Sequence, residues 1–185
     1  MKTHTRLGER KKNIHDTSQL RTCCKRDPFI NQTFLDVFAA DKIPDRLTRP
    51  SCFIANTDPS HKPGQHWIAV ILRRNGESLF IDSYGNSPTH YNPLHWRRLE
   101  NLHKSPYDLQ QETSTVCGDW CLYFLRVLSK NEDLSLEDVV EQFDVDDDAG
   151  NDAVIRKAIH RLYPDVLDTE EHPNVEHIQG CRSRR

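Results

Sequence analysis

The sequence predicts a single α+β domain in which a mixed β-sheet packs against helices, and three observations predict it. His66-Trp67-Ile68-Ala69-Val70-Ile71-Leu72 is a nearly continuous apolar run, the pattern of a central strand buried on both faces. Asn75-Gly76 then marks a tight turn before a returning strand over Ser78 to Tyr84. Cys117, Cys121, Phe124, Leu125 and Leu128 recur at intervals of three and four, as in a helix with one buried face. A length of 185 residues suits one core of this kind and hardly two.

Taken in order, residues 1–19 read as a disordered basic segment, polar and without apolar period, and order begins near Leu20. Asp27-Pro28 resembles a helix cap and first-turn proline. Phe29, Ile30, Thr33, Phe34 and Val37 at helical spacing predict a short helix over 28–36. Pro44 and Pro50 bracket a loop, and Cys52-Phe53-Ile54-Ala55 is a strand ending in the turn Asn56-Thr57-Asp58-Pro59. The hairpin around Asn75-Gly76 pairs residues whose numbers sum to about 150, so His66 and Asp82 meet near its open end.

Pro93 starts a predicted helix over 93–103 carrying Leu94, Trp96, Leu99 and Leu102, and 107–110 reads as a further short strand. The 117–129 helix follows. Ser135 with Asp138 has the form of a capping box, and Asn151 to Leu162 makes a last helix stopped at Pro164. The expected domain is thus 20–165, with a flexible tail over 166–185.

Charged residues are 29% and apolar residues 36% of the chain, a globular composition, and no apolar run approaches the ~18 residues of a membrane span. The first residues lack the apolar stretch of a secretory signal, which points to the cytoplasm or nucleus. The six cysteines, Cys23, Cys24, Cys52, Cys117, Cys121 and Cys181, therefore read as thiols. Net charge is −3, yet residues 1–26 hold eight Lys/Arg against Glu9 and Asp16, and the chain ends in CRSRR. The plain reading is solvated ends; the sharper one is a weak DNA contact by counterion release.

A thiol protease needs a thiolate, a base, a group that orients the base, and donors for an oxyanion. Cys117 lies where a loop enters a helix, a place that favours thiolate, and Gly118 clears space there for substrate backbone. His66 opens a buried strand. Asp82 sits in the paired strand, where aspartate is depleted. Gln110 and Gln111 stand seven and six residues before Cys117, and either amide is within reach of an oxyanion role.

The order His-Trp, strand carboxylate, Gln, Cys-Gly resembles the adenovirus-type (adenain-like) and Ulp/SENP-type cysteine proteases. Three stretches carry the likeness: Gly64 to Val70, Phe80-Ile81-Asp82-Ser83-Tyr84-Gly85-Asn86-Ser87-Pro88, and Gln110 to Leu125. It covers about residues 20–160 and is closest to the proteases of Polinton/Maverick elements. The resemblance implies a papain-like α+β fold with Cys117 as nucleophile at a helix N-terminus, His66 as base and Asp82 as orienting acid. Gln110 would be the oxyanion donor by the adenovirus spacing, or Gln111 by the Ulp spacing. Trp67 would pack beside the imidazole and Cys121 in the core.

It further implies a polypeptide substrate and maturation of virus-like structural proteins or, alternatively, release of ubiquitin-like modifiers. Cys117 and Cys121 lack a matching Cys/His pair for zinc, so no metal or cofactor is expected, and the chain reads as a monomer. One departure stands out. No cysteine lies between Asp82 and Cys117, so the disulfide-linked activating peptide of the adenovirus enzyme has no counterpart here.

Overall fold

The computed structural model describes residues 15–91, 96, 99 and 101–167. Five strands form one mixed sheet in sequence order: β1 (Phe34–Phe38), β2 (Ser51–Asn56), β3 (Trp67–Leu72), β4 (Ser78–Ile81) and β5 (Leu102–Lys104). The β2–β3 and β3–β4 pairs are antiparallel, and the two outer pairs are parallel. The helices are α1 (Thr17–Arg26), α2 (Cys117–Lys130), α3 (Leu136–Val140), α4 (Asp148–Leu162) and α5 (Pro164–Leu167). This is the expected α+β class, compatible with a papain-like cysteine protease fold.

The apolar run at 66–72 is explained by two cores. Trp67, Ala69 and Ile71 of β3 join Leu79 and Ile81 of β4 and the inner face of α2 on one side of the sheet. Ile68, Val70 and Leu72 point to the other side, where Phe53, Phe80 and Trp96 close a second cluster. Phe80 and Trp96 meet edge to face at 5.2 Å. Leu72 pairs with Ser78 and Ala69 with Ile81, so the hairpin keeps the expected sum of 150. Its loop has three residues, Arg74-Asn75-Gly76, with Gly76 at φ 96° supplying the left-handed turn.

Several expectations are corrected. Order begins before Leu20. Asp16 caps α1 in a full capping box with Gln19, and His15 is already buried. The helix expected over 28–36 is a three-residue 3-10 turn, Ile30–Gln32, followed by β1. Asp27 does cap, since its Oδ1 accepts the amides of Phe29 and Ile30, at 2.9 and 3.0 Å. Beyond that turn, Thr33, Phe34, Val37 and Phe38 are good strand formers, and the free edge of β2 takes them. The fifth strand is not 107–110 but Leu102–Lys104, which overlaps the end of the helix expected over 93–103. Pro106 has no N–H for a ladder, and 107–110 is instead hooked to the end of β4 through the Leu109 and Gln110 amides, both on the Ser83 carbonyl. Residues 93–95, 97, 98 and 100 of the expected helix lie outside the described residues.

The capping box at Ser135 and Asp138 is present. The last long helix starts three residues earlier than expected, because Asp147 of the acidic run caps it by accepting the Gly150 amide at 3.0 Å. After Pro164 the chain turns once more as α5 and buries Leu167. Residues 1–14 and 168–185, with most of the basic ends and Cys181, lie outside the described residues. No helix among the described residues is long and apolar enough to cross a membrane.

Asp27 ties the helical layer together. Tyr163 donates to its Oδ2 at 2.6 Å and Arg126 pairs with the same carboxylate, joining α1, α2 and the end of α4. Gly85 fixes the chain just beyond β4. Its φ is 64°, and a Cβ there would stand 2.7 Å from the Tyr107 carbonyl carbon. Gly85→Ala combines left-handed strain with a backbone clash and is expected to cost about 2–4 kcal/mol. Urea unfolding checks this: the midpoint should fall with an unchanged slope, and an unmoved midpoint contradicts the packing described.

Candidate active site

His66 is the residue immediately before β3, and Asp82 the residue immediately after β4. The antiparallel register therefore sets them side by side at one end of the hairpin. His66 Nε2 and Asp82 Oδ1 are 2.8 Å apart. Asp82 is wholly buried. Its Oδ1 also accepts the Tyr84 amide at 2.9 Å, and its Oδ2 accepts the Tyr91 hydroxyl at 2.5 Å. Burial alone would raise this carboxyl. The contacts with His66, then Tyr91 and the Tyr84 amide, outweigh it and hold the carboxyl below its ordinary range.

Cys117 is the first residue of α2, which packs against β3, and its side chain hydrogen-bonds His66. With Nε2 engaged by Asp82, Nδ1 is the imidazole nitrogen left for the sulfur. The helix begins on Val116, a residue with no side-chain acceptor, so no side-chain cap engages the first amides of α2. Those amides and the positive end of the helix dipole surround Cys117.

Burial would lower the imidazole, but Asp82 and then Cys117 overcome it and push His66 up to about 9. A raised imidazole stabilises the fold fully below its unfolded value near 6.5, and the contribution is lost as pH rises through about 9. NMR titration should find His66 protonated up to that region. Cys117→Ala should move its midpoint down, since one of the raising partners is gone; an unmoved midpoint means that the two side chains do not interact.

Burial pushes Cys23 up to about 12 and Cys52 up to about 11, and Cys24 and Cys121 are also raised well above the ordinary thiol value by burial. Held as thiols in the core, they are poor nucleophiles. Cys121 lies in that core one turn after Cys117.

Gln110 is buried and Gln111 is exposed. The Gln110 carbonyl accepts the Ser83 hydroxyl at 2.6 Å, and its amide donates to Ser114 Oγ at 2.9 Å. That fixes which way the amide faces. The Gln111 backbone amide donates to Asp152 Oδ2 at 3.2 Å, and the Trp120 indole donates to Oδ1 of the same residue at 2.8 Å. Asp152 thereby ties the segment before Cys117 to α2 and α4.

Two expectations about neighbours change. The ring stacked on His66 is Tyr84, at 4.7 Å and 28°, whereas the Trp67 indole turns away to donate to the His15 carbonyl at 3.2 Å. Gly118 does not clear a path for substrate, because the position of its missing side chain is filled by Leu20 and His15, 3.1 and 3.2 Å from an added Cβ. Tyr84, Tyr91, Ser83 and Asp152 were not singled out from sequence. The one available signal was the polar and aromatic clustering directly after Asp82. His66, Tyr84 and Tyr91 line an open groove together with residues of the 56–65 loop.

No protein-family model matches the chain. A cysteine protease of African swine fever virus is 30% identical over 93 residues, which cover 42% of this chain and 33% of the viral protein. The chain spans about a third of the length of that relative, and the likeness is that of a distant relative of a viral cysteine protease.

Proposed function

We propose that this chain is a cysteine endopeptidase that cleaves peptide bonds through a thioester on Cys117. The observation that carries the reading is the hydrogen-bonded series Cys117–His66–Asp82, buried at the helix N-terminus, with His66 lining a groove. In this reaction the Cys117 proton passes to His66, and the thiolate adds to the scissile carbonyl. Gln110 and the first amides of α2 are the candidate donors to the oxyanion. His66 returns its proton to the leaving amine as the C–N bond breaks, leaving the acyl group on sulfur. A water, deprotonated by His66, then releases the carboxylate and the thiol. Asp82 holds the imidazole in one orientation and favours its charged form throughout.

The substrate we propose is the structural polyprotein of a virus-like element. It rests on the order of motifs and on the similarity to a viral cysteine protease. The test is hydrolysis of a peptide library built from capsid-type cleavage junctions, run beside a panel of ubiquitin-like conjugates. Internal cleavage of peptides supports the reading. Turnover confined to ubiquitin-like conjugates would assign deconjugation instead, and no turnover of either by the folded chain would remove the enzyme reading.

A further inference from the structure

A second buried polar cluster lies at α2's first turn. His15, Asp119 and His160 come from three elements, the entry to α1, the first turn of α2 and the last turn of α4. One ligand atom from each lies within 4.8 Å of the other two. His15 Nε2 and Asp119 Oδ1 are 2.7 Å apart, and the two imidazole rings are 5.8 Å apart, centre to centre.

His15 and Asp119 are both fully interior, 2% and 0% exposed. Yet Asp119 Oδ2 and His15 Nδ1 have no hydrogen-bond partner among the described residues. A buried carboxylate with one oxygen unmatched is costly. Its sister site differs on this point: both oxygens of Asp82 are satisfied. His15 is also pinned by its own carbonyl, which takes the Trp67 indole, and by Gly118 packed on its side chain.

We propose that His15, Asp119 and His160 bind one divalent transition-metal ion, zinc by preference, which clasps the N-terminal segment and α4 to the helix that carries Cys117. Two imidazoles and a carboxylate are a borderline-soft donor set, suited to zinc and poorly suited to magnesium or calcium. Zinc–nitrogen and zinc–oxygen bonds of about 2.0–2.2 Å place neighbouring tetrahedral ligands about 3.3 Å apart. The cation would lie between Asp119 and the two rings after small side-chain rotations that open the 2.7 Å contact. The ion would occupy the unmatched carboxylate oxygen or share both, and a water would complete the fourth position. This inference does not depend on the proteolytic reading.

The experiment is zinc titration, against a competing chromophoric chelator, of the full chain carrying Cys117→Ala. That background removes the thiol that would otherwise bind zinc beside His66. The expected result is one zinc per chain with a rise in melting temperature, and cobalt substitution should show the visible bands of a four-coordinate nitrogen and oxygen site. Adding Asp119→Asn or His160→Gln should each weaken binding about 100-fold or more, since loss of a direct ligand exceeds the 10- to 100-fold typical of outer partners. His160 is only partly buried, so His160→Gln should keep the metal-free melting transition and decides the matter if Asp119→Asn unfolds. No stoichiometric zinc, or zinc retained unchanged by the folded variants, overturns the site.

Discussion

Cys117→Ala is expected to lower kcat by about 10⁴–10⁶ while leaving the fold intact, by analogy with removal of a nucleophile from a serine protease. The fold should tolerate it. The sulfur is buried at the first residue of α2, the change removes one atom from that position, and alanine is a good helix former. The loss should not deepen when His66→Ala is added, because both groups serve one chain of proton transfer. Kinetics of the two single variants and the double variant check this. Losses that multiply would mean that the two residues act independently, against the hydrogen-bonded pair described.

Gln110→Ala is expected to lower kcat by about 10²–10³ with little change in KM, the effect of deleting one oxyanion donor. The side chain is buried and its amide is oriented from both ends by Ser83 and Ser114. Such an amide costs little reorganisation as charge develops on the substrate oxygen. Gln111→Ala should be nearly silent, because that side chain is exposed and only its backbone amide is engaged, by Asp152. Gln110→Glu separates geometry from charge: it keeps the shape, places a carboxylate near the oxyanion, and should be at least as inactive as Gln110→Ala. Equal losses at 110 and 111, or a loss at 111 alone, would move the role.

The parts of the site that sequence made legible are those fixed by short-range rules. A tight turn at Asn75-Gly76 sets the register, and the register alone brings His66 to Asp82. A helical period starting at Cys117 places the sulfur at a helix N-terminus. What sequence hid was decided by distant partners. Phe34 to Phe38 fits a helical period, but an open edge of β2 makes it a strand. Leu102 and His103 fit the end of a helical stretch, and pairing with β4 overrides that local preference.

Tyr91 reaches Asp82 from a loop nine residues on, and no periodicity foretells such a contact. His15 looked like part of a polar tail until Asp119 and Trp67 supplied its partners. Gly118 shows the same thing from the other side, since its need for no side chain comes from the N-terminal segment and not from a substrate.

The central claim is that Cys117, activated by His66, is the nucleophile. The most direct measurement is mass-spectrometric mapping of the adduct formed by a peptide electrophile on the folded chain. A single adduct on Cys117, formed much more slowly in His66→Ala, is the predicted result; an adduct on Cys23, Cys24, Cys52 or Cys121, or a rate on Cys117 indifferent to His66, would contradict it.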